Sequence, residues 1–360
     1  MSTSEWVAQI VNRLNAKIVH HRNYSSARAR LHSALLVRQP GEAIALTGPS
    51  RGGKTSIVKE VARIHNPEDE RSLMARRPVV LIRARNKSDK GQFTTRAFYL
   101  NALKAIRHPF FVLTGEDLVR NADLIRRMHN DSNDVLCDIL ENALEILGVK
   151  YLIIDEAQHI RYMVGKDVTA SQVLESLKTL AEAIGCVIVF VGAYPILPVL
   201  KLAPHIVGRD YIVDIPRYRA GERSDMLAFE QTLQWFSKDI KFASGVKSLR
   251  DWNDLLFDGS LGVPGLLNAW VRNALSEMLA RGDSRLGLEH IRFARKPGPD
   301  DSELLSEIEA GEEYLAEWDY KESPEPAPNE GADSKGKKKG KSKGKPFQAK
   351  PKRRAAGGRV

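Results

Sequence analysis

Ala43-Ile-Ala-Leu-Thr-Gly-Pro-Ser-Arg-Gly-Gly-Lys-Thr-Ser-Ile-Val-Lys-Glu-Val-Ala-Arg63 passes from an apolar run, through a glycine-rich turn, into a periodic segment. The run Ala43 to Leu46 predicts a short buried strand, and Ser56 to Arg63 a helix. Between them, Gly48-Pro49-Ser50-Arg51-Gly52-Gly53-Lys54-Thr55 satisfies G-x-x-x-x-G-K-[ST] in its strand–loop–helix setting. Glycines let successive backbone N–H groups curl toward phosphate oxygens, and the helix start adds partial positive charge. Lys54 is placed to reach β- and γ-phosphates and the Thr55 hydroxyl to ligate Mg²⁺. The pattern implies nucleotide binding, with ATP and Mg²⁺ as the expected cofactors.

About 100 residues downstream, Val149-Lys-Tyr-Leu-Ile-Ile-Asp155-Glu156-Ala-Gln-His159 is an apolar run that ends in two carboxylates. Buried strands rarely end so for packing alone, because unpaired carboxylates are costly there. Asp155 is expected to hold the Mg²⁺ shell, and Glu156 to orient or deprotonate an attacking water. Together with the loop, this pair points to hydrolysis rather than binding alone. Cys186 to Gly192 predicts another buried strand, and Val207 to Pro216 contains a last one. Arg209, just before it, suits an arginine finger, a cation supplied to a neighbouring subunit's nucleotide. Arg217 and Arg219 compete for that role, and a surface arginine is the plainer alternative.

Around this centre the 360 residues divide by composition. An N-terminal helical segment (1–40) carries a stripe of Trp6, Ile10, Leu14 and Ile18. The neighbouring His20 and His21 would point apart on a helix and cannot chelate one metal, so a surface or phosphate contact is expected. An α/β core (41–216) is followed by a helical lid (217–297), an acidic linker (298–333), helical in part at best, and a disordered basic tail (334–360). The linker holds 13 acids against Lys321 alone, and the tail 12 Lys/Arg and no acid. Residues 1–297 therefore keep the whole net charge of +10, which favours an anionic partner larger than a nucleotide. The stretch Arg83 to Arg96 leaves the carboxyl end of a predicted strand, where ligands of open sheets bind. Its Arg85, Lys87, Lys90, Thr94 and Arg96 are candidate DNA contacts; a solvated loop reads the same way. No apolar run approaches the length of a membrane span. Cys137 and Cys186 make neither a disulfide framework nor a zinc site. The N-terminus lacks the pattern of a secretory signal, and a bacterial-type, nucleoid-associated cytoplasmic location is expected.

Gly48–Thr55, the L-I-I-D-E-A-Q of Leu152–Gln158, the strand Val187–Gly192, Arg209 ahead of Pro216, Gly259–Leu267 and the Asn23-Tyr24 entry carry a resemblance. The chain resembles the AAA+ ATPases, specifically the TniB/TnsC-like regulators of DNA transposition, over roughly residues 20–285. The resemblance implies a P-loop AAA+ fold with a parallel sheet flanked by helices, followed by a small helical lid. It implies ATP hydrolysis and head-to-tail assembly into a homo-oligomeric ring or filament around double-stranded DNA, largely independent of sequence. Partners would be a transposase and a target-selection protein, and hydrolysis would disassemble the assembly. Two departures stand out. Gly192-Ala193 replaces the Asn, Ser or Thr that many relatives place near the γ-phosphate, and no arginine follows the Gly262–Gly265 turn. Both imply slow hydrolysis. A replication initiator or loader ATPase would be expected to carry a winged helix after the lid, where an acidic linker is predicted. A non-enzymatic scaffold is opposed by Asp155-Glu156.

Overall fold

The computed structural model describes residues 2–16, 20–66, 76–84, 93–109, 111, 123, 132–162, 169–202, 211–295 and 299–320. Five short strands form one parallel sheet: β1 (Ala43–Thr47), β2 (Val79–Arg83), β3 (Tyr151–Asp155), β4 (Val187–Val191) and β5 (Ile212–Asp214). Their order is β2-β3-β4-β1-β5. β1 and β4 are buried at every position, as parallel strands covered on both faces must be. The period-2 alternation splits their side chains between two cores. Ala43, Ala45, Ile188 and Phe190 join one cluster; Ile44, Leu46, Val189 and Val191 join the other.

The helices follow this division. α1 (Thr3–Ala16) turns away from the sheet, while α2 (Arg22–Val37) and α3 (Lys54–His65) cover one face through Leu31, Leu35, Ile57 and Val61. The other face is covered by α4 (Thr95–Ala105), α5 (Asn133–Ile146), α6 (Ala170–Ile184) and the short α7 (Ile196–Lys201). α8 (Arg223–Ser237), α9 (Asn253–Ser260), α10 (Pro264–Ala280) and α11 (Leu288–Ala294) then build the helical lid. Its core holds Phe229, Phe236, Trp270 and Leu275, together with Trp6, Ile10 and Leu14 of α1. The Trp6 indole donates to the Asp239 carbonyl at 2.9 Å. Arg13 donates to the Lys238 and Trp235 carbonyls at 2.6 and 3.2 Å, placing positive charge on the carboxyl end of α8.

Two expectations change. The N-terminal helical segment expected over residues 1–40 holds two helices, with α1 packed on the lid and α2 on the sheet. The segment expected as an acidic linker contains α12 (Pro299–Tyr320), 22 residues long, whose Ile308 is fully buried in the sheet core. Among the described residues no helix is long and apolar enough to cross a membrane. Arg85, Lys87, Lys90, Arg209 and the basic tail lie outside the described residues.

Candidate nucleotide site

β1 ends at Thr47, and the chain turns through Gly48–Gly53 before α3 begins at Lys54. This turn lies at the carboxyl end of the sheet, with β4 and β5 on either side of β1. Gly53 takes φ 102° at the start of α3, which begins without a side-chain cap, leaving its first N–H groups directed at the loop. Lys54 Nζ donates to the carbonyls of Gly48 and Pro49 at 3.0 and 2.7 Å. Burial draws the Lys54 ammonium down to about 8, against the pull of Glu156, Asp155, Glu307 and Asp214.

The second half of the site comes from β3. Thr55 Oγ1 donates to Asp155 Oδ2 at 2.9 Å, joining the start of α3 to the end of β3. Burial raises the Asp155 carboxyl above the usual range, and Glu156 adds to this, while Thr55 and Arg83 hold it down. Arg83, the last residue of β2, lies 3.8 Å from Asp155. Glu156 sits at φ 59°, and its N–H donates to Asp155 Oδ1 at 3.0 Å. The structure thus brings together Gly48–Thr55, Asp155 and Glu156.

Gln158 is the positioning group that sequence reasoning missed. Its Nε2 donates to Glu156 Oε2 at 2.5 Å, and its Oε1 accepts from the Ala193 N–H at 3.3 Å. A Cβ on Gly192 would lie 2.5 Å from that same Oε1 and 3.2 Å from Ile196. β4 therefore gives way to glycine because the Gln158 amide occupies the space. Asp214, at the end of β5, was missed as well. Burial pushes it up to about 7, with Glu312 adding and Tyr194 and Lys54 opposing. The signal was available: like β3, β5 is an apolar segment that closes on a carboxylate.

Beside the loop lies a cavity of about 190 Å³, lined in part by His21, Tyr24, Gly53, Ser56, Pro264 and Asn268. It joins the α2 entry, the loop and the lid, with Gly265 packed on the Arg51 carbonyl. His21 has a structural part here. Its Nδ1 accepts from the Tyr24 N–H at 3.4 Å and sits 3.1 Å from the Tyr218 hydroxyl. Burial, with Arg22 and His20 adding, lowers it to about 4, so the ring is neutral and carries no charge toward a phosphate. Asn23 Nδ2 donates to the Pro216 carbonyl at 2.9 Å, tying α2 to the segment after β5.

The donors fit a magnesium nucleotide. Thr55 Oγ1 and Asp155 Oδ2 lie 2.9 Å apart beside the loop, a hydroxyl and a carboxylate whose hard oxygens suit Mg²⁺. Of the candidate DNA contacts, Thr94 caps α4 by accepting from the Ala97 N–H at 3.2 Å, and Arg96 lies in the first turn of that helix. Arg217 and Arg219 both reach Glu312 of α12, at 3.0 and 3.8 Å.

No curated protein matches this sequence. Among solved structures, a Walker-type ATPase of Pyrococcus abyssi is 16% identical, over 82% of this chain and 75% of that one, with a TM-score of 0.45. The ORC2 protein of Aeropyrum pernix is 15% identical, over 76% of this chain and 66% of that one, with a TM-score of 0.48. Drosophila ORC bound to DNA is 13% identical, over 80% and 65%, also at 0.48. The family described as "Bacterial TniB protein" matches residues 9–220, a span that runs from α1 past β5 and takes in the loop, Asp155, Glu156 and Gln158. That span is more than half of the chain, which belongs to the bacterial TniB family.

Proposed function

We propose that this chain is an ATP-hydrolysing AAA+ regulator of DNA transposition. It assembles on double-stranded DNA in its ATP state, links a target-selection protein to the transposase, and leaves the DNA after hydrolysis. The observation that carries the enzymatic part is the convergence of Lys54, Thr55, Asp155 and Glu156 at the carboxyl edge of one sheet. The backbone of Gly48–Gly53 and the start of α3 bind the phosphates, and Lys54 offsets their charge. Thr55 and Asp155 would hold Mg²⁺, which would supply positive charge against the nucleotide phosphates. Glu156 orients water and takes its proton, in a rotamer held by Gln158. Arg209 is the cation supplied to a neighbouring copy. The DNA part is supported by membership of the TniB family and by the basic charge of residues 1–297.

Two variants test the enzyme. Lys54→Ala should lose ATP binding, measured with a fluorescent ATP analogue. Glu156→Gln should bind as wild type and hydrolyse at least a hundredfold more slowly, within the range general-base groups contribute, while its ATP-dependent assembly on DNA becomes long-lived in electron micrographs. Wild-type turnover by Glu156→Gln would remove it from this role.

A further inference from the structure

α12 is acidic in composition, yet it packs against the nucleotide site. Its apolar positions Leu304, Ile308, Gly311 and Leu315 recur at i, i+4, i+7 and i+11, one narrow helical stripe. Ile308 is fully buried, and Leu304 and Leu315 pack on the same core. Gly311 lies against the Tyr194 ring so closely that any Cβ would overlap it. At about 100° per residue, Glu307 and Glu312 fall on opposite flanks of this stripe. Glu307 faces the Ser50 hydroxyl of the phosphate loop and lies in the field of Lys54 and Arg161, while Glu312 pairs with cations beside the site. Glu312 accepts from Arg217 Nε and Nη2 at 3.0 and 3.1 Å, with Arg219 at 3.8 Å. Arg295, just past α11, donates to Asp301 in the first turn of α12 at 2.8 Å.

This is how an anion would be received. Ser50 and Lys54 belong to the loop whose geometry is built for phosphate, and Glu307 presents to them a carboxylate from the same chain. The fit is incomplete, since Glu307 Oε1 is buried without a hydrogen-bond partner. Burying a carboxylate with one oxygen unmet carries a desolvation cost that its contacts offset only in part. A triphosphate brings several negative charges and accepts from the loop N–H groups as well, so it outcompetes one carboxylate.

We propose that α12 is an autoinhibitory latch: Glu307 competes with nucleotide phosphates for the loop and Lys54, and Glu312 withholds Arg217 and Arg219, until the helix is displaced. The proposal rests on the phosphate-binding reading of residues 48–55 and is independent of any role in transposition. Displacement frees the two arginines and the carboxyl edge of the sheet together, so nucleotide binding and exposure of this edge are coupled.

The test is the affinity of full-length variants for a fluorescent ATP analogue, with hydrogen exchange of residues 299–320 as a second readout. If the closed latch holds nine-tenths of the molecules, opening it lowers the apparent Kd roughly tenfold. Glu307→Gln, and separately Gly311→Leu, which cannot seat against Tyr194, should each bind more tightly by a factor of that order. Glu309→Gln, an exposed position on the same helix, should bind as wild type. The analogue should also raise exchange across 299–320 in the wild type. An unchanged or weakened Kd in both Glu307→Gln and Gly311→Leu, with Lys54→Ala still abolishing binding, overturns the latch alone. Undiminished binding by Lys54→Ala overturns the phosphate reading and the latch with it.

Discussion

Gln158 sets the reach of Glu156, because one amide ties that carboxylate to the backbone that follows β4. Removing the amide leaves the phosphate loop untouched, so Gln158→Leu should keep nucleotide Kd and lower kcat by about tenfold or more, the scale of a mispositioned general base. Gly192→Ala should do the same without touching Gln158, because the new Cβ would press on its Oε1. A Gly192→Ala enzyme with wild-type kcat would sink the link. His21 gives a pH signature. Its folded-state value of about 4 lies below the ordinary 6.5, so the stability it contributes is present above about pH 6.5 and lost as pH falls toward 4. His21→Asn keeps a capping acceptor that does not titrate, and should therefore lose less Tm than wild type between about pH 7 and 5. The phosphate loop and the Asp155-Glu156 pair were legible at this scale because their chemistry demands fixed spacing along the chain. Gln158 and Asp214 act through contacts between separate strands, which spacing does not encode.

Elements were legible where one core owned them. β1 and β4 are apolar on both faces because helices cover both, and their short length between turn residues, with Val and Ile in β4, decides for strand over buried helix. The N-terminal helices were harder, since the stripe of Trp6, Ile10 and Leu14 serves the lid while Leu31 and Leu35 serve the sheet. Two cores pull one helical pattern apart, and His21 caps the second half. α12 was hidden for a different reason. Its buried stripe is one residue wide per turn, so thirteen acids between 298 and 333 outweighed it in composition. If α1 is part of the lid, Trp6→Ala should destabilise the protein by about 3–5 kcal/mol, the usual range for a buried aromatic truncated in a core. The loss should appear in denaturant unfolding, while a substitution at exposed Glu5 should leave the midpoint within about 0.5 kcal/mol. Equal midpoints for Trp6→Ala and wild type would detach α1 from the lid.

At the scale of the molecule, charge is the property that sequence and fold share. Residues 1–297 keep the whole net charge of +10, because the acidic segment and the basic tail cancel. α12 commits two of those acids, Glu307 and Glu312, to cations of the nucleotide edge, so the segment is not merely a counterweight to the tail. The chain leaves β2 at that same edge, since Arg83 pairs in register with Asp155, and it returns at Thr94 to start α4. If the segment between β2 and α4 holds a duplex, Arg85, Lys87, Lys90 and Arg96 should act on phosphates rather than bases, because contacts to the phosphate backbone position a protein without reading sequence. Neutralising all four to Gln should weaken binding to every duplex by a similar factor. Each phosphate left without its cation takes about 0.9 off the slope of log K against log salt, so the quadruple variant should flatten that slope by as much as ~3–4. A chain truncated after Asp333 separates loop from tail, since its weaker binding is confined to low salt if the tail acts only by diffuse attraction. Should the quadruple variant keep both affinity and slope, this segment does not hold the duplex, and Arg22, Arg28 and Arg30 on α2 become the cations to neutralise next.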